Sequence, residues 1–289
     1  MKIVIIGAGG RLGSALVRRY REEHEVAAFN HAQLNIADEG QIWAKIDPLD
    51  FDILINTAAL TNVDLCETHP DEAFRINADA PDVLAEICSD KNAKLIHIST
   101  DYVFDGAKRE PYTEADDAEP ISVYGESKRM GEENVLAAQD HLVVRVSWVF
   151  GPDRPSFIDG VIQRARENEQ VDAIADKFSS PTYAHDIAEM LPHFFNVDVS
   201  GSILHFTNPG PCSWQEYAQY ALDCCREEGI ALKAKTVAPL KLADMKNFVA
   251  RRPAYTVLAT AKYTELTGQT PRPWREAVVD YIRRSYSKK

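Results

Sequence analysis

The chain opens on Lys2-Ile3-Val4-Ile5-Ile6, followed directly by Gly7-Ala8-Gly9-Gly10-Arg11-Leu12-Gly13. No other stretch limits the fold so tightly. An unbroken β-branched run without polar alternation reads as a strand buried on both faces, as in a parallel sheet. Residues 14–21 read as a helix, with Leu12, Leu16 and Tyr20 on one stripe. Glycines between strand and helix permit a tight turn, close backbone approach to a pyrophosphate and close helix–strand packing. The helix start then offers free N–H groups and a positive dipole end to phosphates. A glycine pattern alone is weak, because such turns occur without ligands. The strand–turn–helix context is what makes it a dinucleotide fingerprint.

The first half repeats the alternation. Residues 24–29, 52–57, 93–100 and 141–147 read as further strands, and residues 70–77 and 81–89 as helices. Residues 134–139 end the helix that carries Tyr124 and Lys128. Alternating strands and helices imply an α/β fold with a Rossmann-type, doubly wound parallel sheet. Ligands bind such sheets beyond the C-terminal strand ends, so Gly7, Thr57, Thr100 and Ser147 are expected to line one crevice. After residue 150 the pattern loosens, with prolines at 152, 155, 181, 209, 211, 239 and 253. A helix over 214–226 stands out there, with Ser213 as its cap and Glu216 at the capping-box position. The expected division is a dinucleotide-binding domain over 1–150. Residues 151–289 are expected to form mainly a smaller substrate-binding lobe, with some segments returning to the first domain.

Tyr124-Gly125-Glu126-Ser127-Lys128 names a chemistry. Tyrosine and lysine at i and i+4 share a helix face, and an ammonium beside a phenol lowers its pKa. A tyrosine tuned in this way exchanges a proton with a sugar or alcohol oxygen near neutral pH. Thr100, at a strand end, adds a hydroxyl aimed at the same oxygen, with Ser99 as the alternative. His97 alternates with apolar residues and reads as structural. For the cofactor, an NAD-preferring site places an acid at the end of the second strand. Asn30-His31 stands there instead, and Arg11 lies in the glycine loop. This favours a 2′-phosphate and hence NADPH, with NADH as the second candidate.

Forty-five per cent hydrophobic content over 289 residues suffices for one large α/β domain or a domain with a smaller lobe. A net charge of −12 argues against nonspecific nucleic-acid binding. No apolar run reaches membrane-spanning length, and Met1 leads straight into the first strand, so no signal peptide is expected. Cys66, Cys88, Cys212, Cys224 and Cys225 are odd in number and lack metal-site spacing, which suits reduced thiols and a cytoplasmic location. Cys224-Cys225 reads as helix packing, and Arg283, Arg284, Lys288 and Lys289 as a solvated tail. Asp64 and Glu67 alone are poor support for a divalent ion.

Together these residues resemble the extended short-chain dehydrogenase/reductase superfamily and, within it, the dTDP-4-dehydrorhamnose reductase family. The resemblance runs in family order through residues 7–13, Asn56-Thr57-Ala58-Ala59, Ser99-Thr100-Asp101-Tyr102-Val103-Phe104-Asp105-Gly106 and residues 124–128. It continues through Arg145-Val146-Ser147-Trp148-Val149-Phe150-Gly151, Ser180-Pro181-Thr182 and Ala250-Arg251-Arg252-Pro253. It implies that Tyr124 protonates the C4 oxygen as hydride arrives, that Lys128 bonds the nicotinamide ribose, and that Thr100 orients the substrate oxygen. The implied cofactor residues are Gly7, Gly10, Arg11, Leu12, Gly13, Asn30, His31, Ala58, Ala59, Asn77 and Ser99, with Tyr124 and Lys128. The implied substrate residues are Thr100, Asp101, Tyr102, Val103, Trp148 and Arg252, the last near the nucleotide diphosphate, and no metal ligand is assigned. The partner is a nucleotide-sugar substrate, with no nucleic acid or membrane. Family members are often dimers, so a homodimer is an expectation that no residue pattern here assigns. The implied reaction is reduction of a nucleotide-linked 4-keto-6-deoxysugar, dTDP-4-dehydro-L-rhamnose to dTDP-L-rhamnose. The alternatives are a nucleotide-sugar epimerase or dehydratase, for which Asp101 supplies the extra acid, and a noncatalytic NADP-binding regulatory subunit resembling that of methionine adenosyltransferase. Departures from the family pattern lie in the glycine loop, at Leu34-Asn35-Ile36, at Thr61-Asn62-Val63-Asp64 and at Asp153-Arg154-Pro155.

Overall fold

The computed structural model describes residues 1–138, 141–199 and 201–286. Five strands alternate with helices through the first half. In chain order they are β1 (Lys2–Ile6), α1 (Arg11–Tyr20), β2 (Glu25–Phe29), α2 (Glu39–Ile46), β3 (Ile53–Asn56), α3 (Val63–Thr68), α4 (Pro70–Phe74), α5 (Ala80–Asp90), β4 (Lys94–Thr100), α6 (Val123–Ala137) and β5 (Leu142–Val146). The second half adds β6 (Val149–Phe150), α7 (Phe157–Glu167), β7 (Val171–Ile174), β8 (Phe178–Ser179), β9 (Thr182–Tyr183), α8 (Ala184–Met190), β10 (Ser202–Phe206), β11 (Cys212–Ser213), α9 (Trp214–Glu227), β12 (Val237–Leu240), α10 (Ala261–Thr267) and α11 (Trp274–Tyr286).

The main sheet is six-stranded, in the order β2-β1-β3-β4-β5-β10, and every pairing in it is parallel. Alternate residues of β1 feed two different cores. Ile3 and Ile5 pack with Leu12, Leu16 and Tyr20 of α1 and Ile187 of α8. Val4 and Ile6 pack with Ile42 of α2, Leu84 of α5 and Val135 of α6. Helices therefore cover both faces, which is why Ile3 to Ile6 and Ile53 to Ile55 are apolar at successive positions. Burying each such side chain stabilises the fold by about 1.5–3 kcal/mol relative to exposure. Chain order reverses at β1, with β2 on one side and β3 on the other. Such a reversal opens a crevice at the C-terminal strand ends.

β10 comes from the second half yet pairs with β5, from Ser202 opposite Leu142 to Phe206 opposite Val146. α8 likewise packs against α1 in the first-half core. The remaining second-half elements build a separate core. There α7, α9 and α11 enclose Tyr217, Leu222, Trp274 and Ile282 against the β7–β12 pair. α9 starts as its residues dictate, with Ser213 accepting from the Glu216 N–H at 3.0 Å and Glu216 accepting from the Ser213 N–H at 2.8 Å. Cys224 and Cys225 are buried in this core, and all five cysteines are free. α6 ends at Ala137, and Gln139, within the expected helix end, lies outside the described residues, as do Lys288 and Lys289. Arg283 and Arg284 pair with Glu228 and Asp280. Among the described residues no helix is long and apolar enough to cross a membrane.

Candidate active site

A cavity of about 1130 Å³ opens at the C-terminal ends of β1, β3 and β4. Its floor is the glycine loop. Gly7 sits in the left-handed region at φ 83°, which only glycine adopts without strain. Its N–H and that of Ala8 donate to Phe29 O at 2.9 and 3.0 Å, tying the loop to β2. Gly13 does not line the cavity. A Cβ there would stand 2.3 Å from Gly7 O and 2.8 Å from Thr57 Oγ1, so this glycine lets α1 approach the strand ends. α1 begins on Gly10 with no side-chain cap and no acid in its first turn. The leading N–H groups of a helix lack intrahelical partners, and here no carboxylate competes with an anion for them.

Opposite the loop stand Thr100, Tyr124 and Lys128, all facing the same cavity. Ser122 caps α6 by accepting from the Gly125 N–H at 3.3 Å, and Tyr124 and Lys128 follow one turn apart. Burial pushes the Tyr124 phenol above its ordinary value, and a hydrogen bond with Thr100 opposes that rise. This corrects the expectation that Lys128 lowers it. The Lys128 amine instead meets Ile98 O at 2.8 Å and His97 Nε2 at 3.0 Å. Burial pushes Lys128 itself down to about 8.

Asp101 is fully engaged beneath Thr100. Its Oδ1 accepts from Thr100 Oγ1 at 3.2 Å, and its Oδ2 accepts from Ser147 Oγ at 2.9 Å and Thr256 Oγ1 at 2.6 Å. Burial raises this carboxyl, while Lys177 and the three hydroxyls pull it back. Lys177, buried and pushed down to about 8, donates to Pro253 O at 2.6 Å and lies 4.9 Å above the Tyr102 ring. Ser147, expected at the crevice, therefore lies below it as a prop for Asp101.

The structure gathers Gly7, Gly10, Arg11, Leu12, Asn30, His31, Ala58, Ala59, Ser99, Asp101, Tyr102 and Trp148 around this cavity, and leaves Gly13, Asn77, Val103 and Arg252 off its walls. Asn77 braces from behind, bonding Leu60 N at 2.9 Å, Leu60 O at 3.1 Å and Ser127 Oγ at 3.0 Å. Val103 is buried in a small core with Phe104 and Tyr112. Arg252 forks onto Asp64 at 2.7 and 3.0 Å and stacks on Phe248. Arg11 donates to Val149 O at 3.0 Å, Arg154 O at 3.2 Å and Pro155 O at 2.5 Å. Its guanidinium thus fastens the loop after β6 to α1. Ser99 Oγ is buried without a partner among the described residues. Trp148 holds φ 46°, a left-handed conformation costing a non-glycine residue roughly 1–2 kcal/mol. Strain of this kind is kept where the surroundings enforce it. The indole is packed among Phe157, Trp214 and Tyr217.

A family profile described as the RmlD substrate binding domain matches residues 1–287. The dTDP-4-dehydrorhamnose reductase of Mycolicibacterium smegmatis is 37% identical, over 97% of this chain and 85% of that protein. The chain belongs to the dTDP-4-dehydrorhamnose reductase family. The spore coat polysaccharide biosynthesis protein SpsK of Bacillus subtilis is 35% identical over 97% of this chain and 96% of its own length. Among solved structures, dTDP-4-dehydrorhamnose reductase from Bacillus anthracis in complex with NADP superposes with a TM-score of 0.91 at 30% identity, covering 98% of this chain and 99% of that one.

Two cavity residues of this reductase-family chain escape a sequence reading. Arg154 donates from Nε to Gly9 O at 2.9 Å, and a Cβ on Gly9 would lie 3.9 Å from its Nη2 and 3.2 Å from Asn30 Cβ. A cation therefore lies over the glycine loop beside the end of β2, supplied from 145 residues downstream. Trp214 reaches the cavity from the first turn of α9. The capping box at Ser213 places a helix start there, but nothing local shows that it abuts Trp148.

Arg252 and two backbone donors hold Asp64 below the ordinary carboxyl value, through the Arg252 hydrogen bonds first and then the Ala250 and Val249 N–H groups. A carboxyl lowered on folding contributes stability above its unfolded value near 3.8, and loses it as pH falls through the folded value. Asp64→Asn is therefore expected to show a constant deficit in urea midpoint at neutral and mildly acidic pH. That deficit shrinks below about pH 4 as the wild-type carboxyl also protonates. Parallel urea titrations of both proteins across that range check this.

Proposed function

We propose that the chain reduces the C4 carbonyl of dTDP-4-dehydro-L-rhamnose to the alcohol of dTDP-L-rhamnose, with NADPH as reductant. The observation that carries this is the convergence of Thr100, Tyr124 and Lys128 on one cavity whose other end is an uncapped helix start behind three glycines. The cavity suits a dinucleotide: Gly7, Gly9 and Gly10 line it with bare backbone, and Ser99 Oγ has an unmet hydrogen-bonding capacity. Bound there, NADPH supplies the hydride that the carbonyl carbon accepts. Tyr124 holds the proton for the carbonyl oxygen. Its raised phenol stays protonated at neutral pH, which is the form a general acid requires. Thr100 Oγ1, fixed by Asp101 and the Tyr102 N–H, orients that oxygen. Trp148 and Trp214 flank the cavity. Asp101 accepts three hydroxyl hydrogen bonds, so it serves as a prop rather than as the free acid of a dehydratase.

The decisive experiment follows NADPH absorbance with dTDP-4-keto-6-deoxyglucose and the 3,5-epimerase generating the substrate in place. Oxidation that needs both sugar and Tyr124 is expected. Tight NADPH binding without oxidation overturns the reading. In the same proposal residues 1–150 hold the cofactor, and 151–289 mainly hold the sugar nucleotide. The five free thiols support a cytoplasmic location. Homodimerisation, carried from the family, is checked by sedimentation.

The geometry over the glycine loop favours Arg154, rather than Arg11, as the cation for the 2′-phosphate. A hydrogen bond to a charged group contributes about 1.5–3 kcal/mol. Arg154→Ala is expected to weaken NADPH binding by roughly 10- to 100-fold, while NADH binding stays within about twofold. Nicotinamide fluorescence titrations with both cofactors decide it. Equal weakening of the two removes Arg154 from this role.

A further inference from the structure

Among the described residues, His97 is a buried histidine whose ring touches a candidate catalytic residue. It is fully buried on β4, and its Nε2 lies 3.0 Å from Lys128 Nζ. Its other nitrogen, Nδ1, lies 3.2 Å from Asn56 Nδ2 at the end of β3. The backbone sets the orientation of the Asn56 amide, because the Ala58 N–H donates to Oδ1 at 3.1 Å. Nδ2 is then the end that meets the ring, and an amide nitrogen only donates. His97 Nδ1 must accept. A neutral imidazole that accepts at Nδ1 carries its proton on Nε2. That Nε2–H points at Lys128 Nζ, and an ammonium has no lone pair to receive it. Every hydrogen bond from Ala58 to Lys128 is made only when Lys128 is an amine. The opposite assignment, an ammonium donating to Nε2, puts a proton on Nδ1 and sets two donors, Nδ1–H and Nδ2–H, against each other.

We propose that His97 is a positioning residue for the uncharged form of Lys128, which predominates in the free protein under alkaline conditions, and that charging Lys128 breaks the Nε2–H···Nζ bond and frees the ammonium for the cavity. The step moves one proton from solvent to the Nζ lone pair, and no electron changes hands. The amine keeps its anchor meanwhile, donating to Ile98 O at 2.8 Å. The surrounding charges agree. Burial and Lys128 hold His97 well below its ordinary value, so a charged imidazolium is not an alternative donor to Nζ. Of the groups near Lys128, Glu132 on the same helix favours charge, but it is engaged bidentately by Arg145 of β5 at 2.7 and 2.9 Å. Tyr124 and Asp101 face the cavity side, Cys66 of α3 stands beside Tyr124, and Arg75 and Asp79, on the turn packed against α6, are exposed. The proposal rests on reading Lys128 as a cofactor-binding residue.

Two measurements test it. Nitrogen-15 NMR of the imidazoles, with His97 assigned by the signal lost in His97→Gln, is expected to show the Nε2–H tautomer. Asn56→Asp keeps an acceptor for the Ala58 N–H and offers a carboxylate to Nδ1–H, so it is expected to switch the ring to the Nδ1–H tautomer. The second measurement is calorimetric titration with NADP⁺ at about pH 9, between the 8 to which Lys128 is pushed and its ordinary 10.5. Run in two buffers of different ionisation enthalpy, it is expected to show uptake of about one proton per site in the wild type and none in Asn56→Asp. An Nδ1–H tautomer in the wild type, or the same uptake in both proteins, overturns the proposal. No uptake in either protein also overturns it, and Lys128→Met then locates the fault. Unchanged NADP⁺ affinity in that variant means that Lys128 is not a cofactor residue.

Discussion

Tyr124→Phe lowers kcat for sugar reduction by about 10²–10⁴, the range a positioned general acid contributes, and leaves the NADPH Kd within about twofold. The expectation is this sharp because phenylalanine preserves nearly everything else. The ring still fits its pocket edge-on to Tyr102, with centroids 5.6 Å apart, and still packs beside Cys66 and Ala73. α6 keeps its Ser122 cap and its backbone. What disappears is one proton donor and the hydrogen bond to Thr100. Burial keeps that phenol protonated across the physiological range, so the wild-type acid is present there. Thr100 does not replace it. Thr100 is bound to Asp101, and water that enters in place of the hydroxyl has no fixed orientation. Steady-state rates with saturating sugar nucleotide, together with cofactor titrations, check both halves. A kcat within tenfold of wild type removes Tyr124 from the acid role.

The sequence-legible part of this molecule is whatever short-range periodicity controls. The first five strands announce themselves because both faces of the sheet are covered, so Ile3 to Ile6 and Ile53 to Ile55 are apolar throughout. The shared face of Tyr124 and Lys128 follows from helix geometry alone, and the capping box at Ser213 from four residues. Long-range geometry is less visible. β10 pairs with β5 across residues separated by 60 positions, and its short Ser202–Phe206 run sits among prolines, so the returning strand is legible only as a possibility of topology. Val103 follows the Ser-Thr-Asp-Tyr run, yet a tight turn over Asp101–Val103 swings it into a core with Phe104. Arg252 meets Asp64 from 188 residues away. Arg11 looks like the phosphate cation because it lies in the glycine loop, but carbonyls of residues 149, 154 and 155 take its donors. Charges in sequence proximity to a motif are free to point elsewhere, and the packing of a distant loop decides.

Gly131→Ala destabilises the protein by about 1–3 kcal/mol, although alanine is the better helix former by about 1 kcal/mol. The sign turns on what a new methyl meets. α6 lies against the widened helical turn Arg75–Asp79, and a Cβ on Gly131 would stand 2.1 Å from Asn77 O. The neighbour is a backbone carbonyl, which no rotamer change moves aside. Either α6 or the turn must shift, and a carbonyl-to-methyl contact needs well over an additional ångström. The shift reaches the candidate site, because the Asn77 side chain holds Leu60 on the cavity wall and Ser127 inside α6. Activity is therefore expected to fall together with stability. Gly160→Ala supplies the opposite case in the same molecule. Gly160 is also inside a helix, α7, but a Cβ there meets nothing within 4 Å. With no clash, the lost freedom of the unfolded chain dominates, and the variant gains about 0.4–1 kcal/mol. At roughly 2–4 °C per kcal/mol for a chain of this size, Tm falls by about 2–12 °C for Gly131→Ala and rises by about 1–4 °C for Gly160→Ala. Calorimetric scans of the two variants beside the wild type read both signs. A Gly131→Ala protein as stable as the wild type would mean that α6 does not rest on the Asn77 carbonyl.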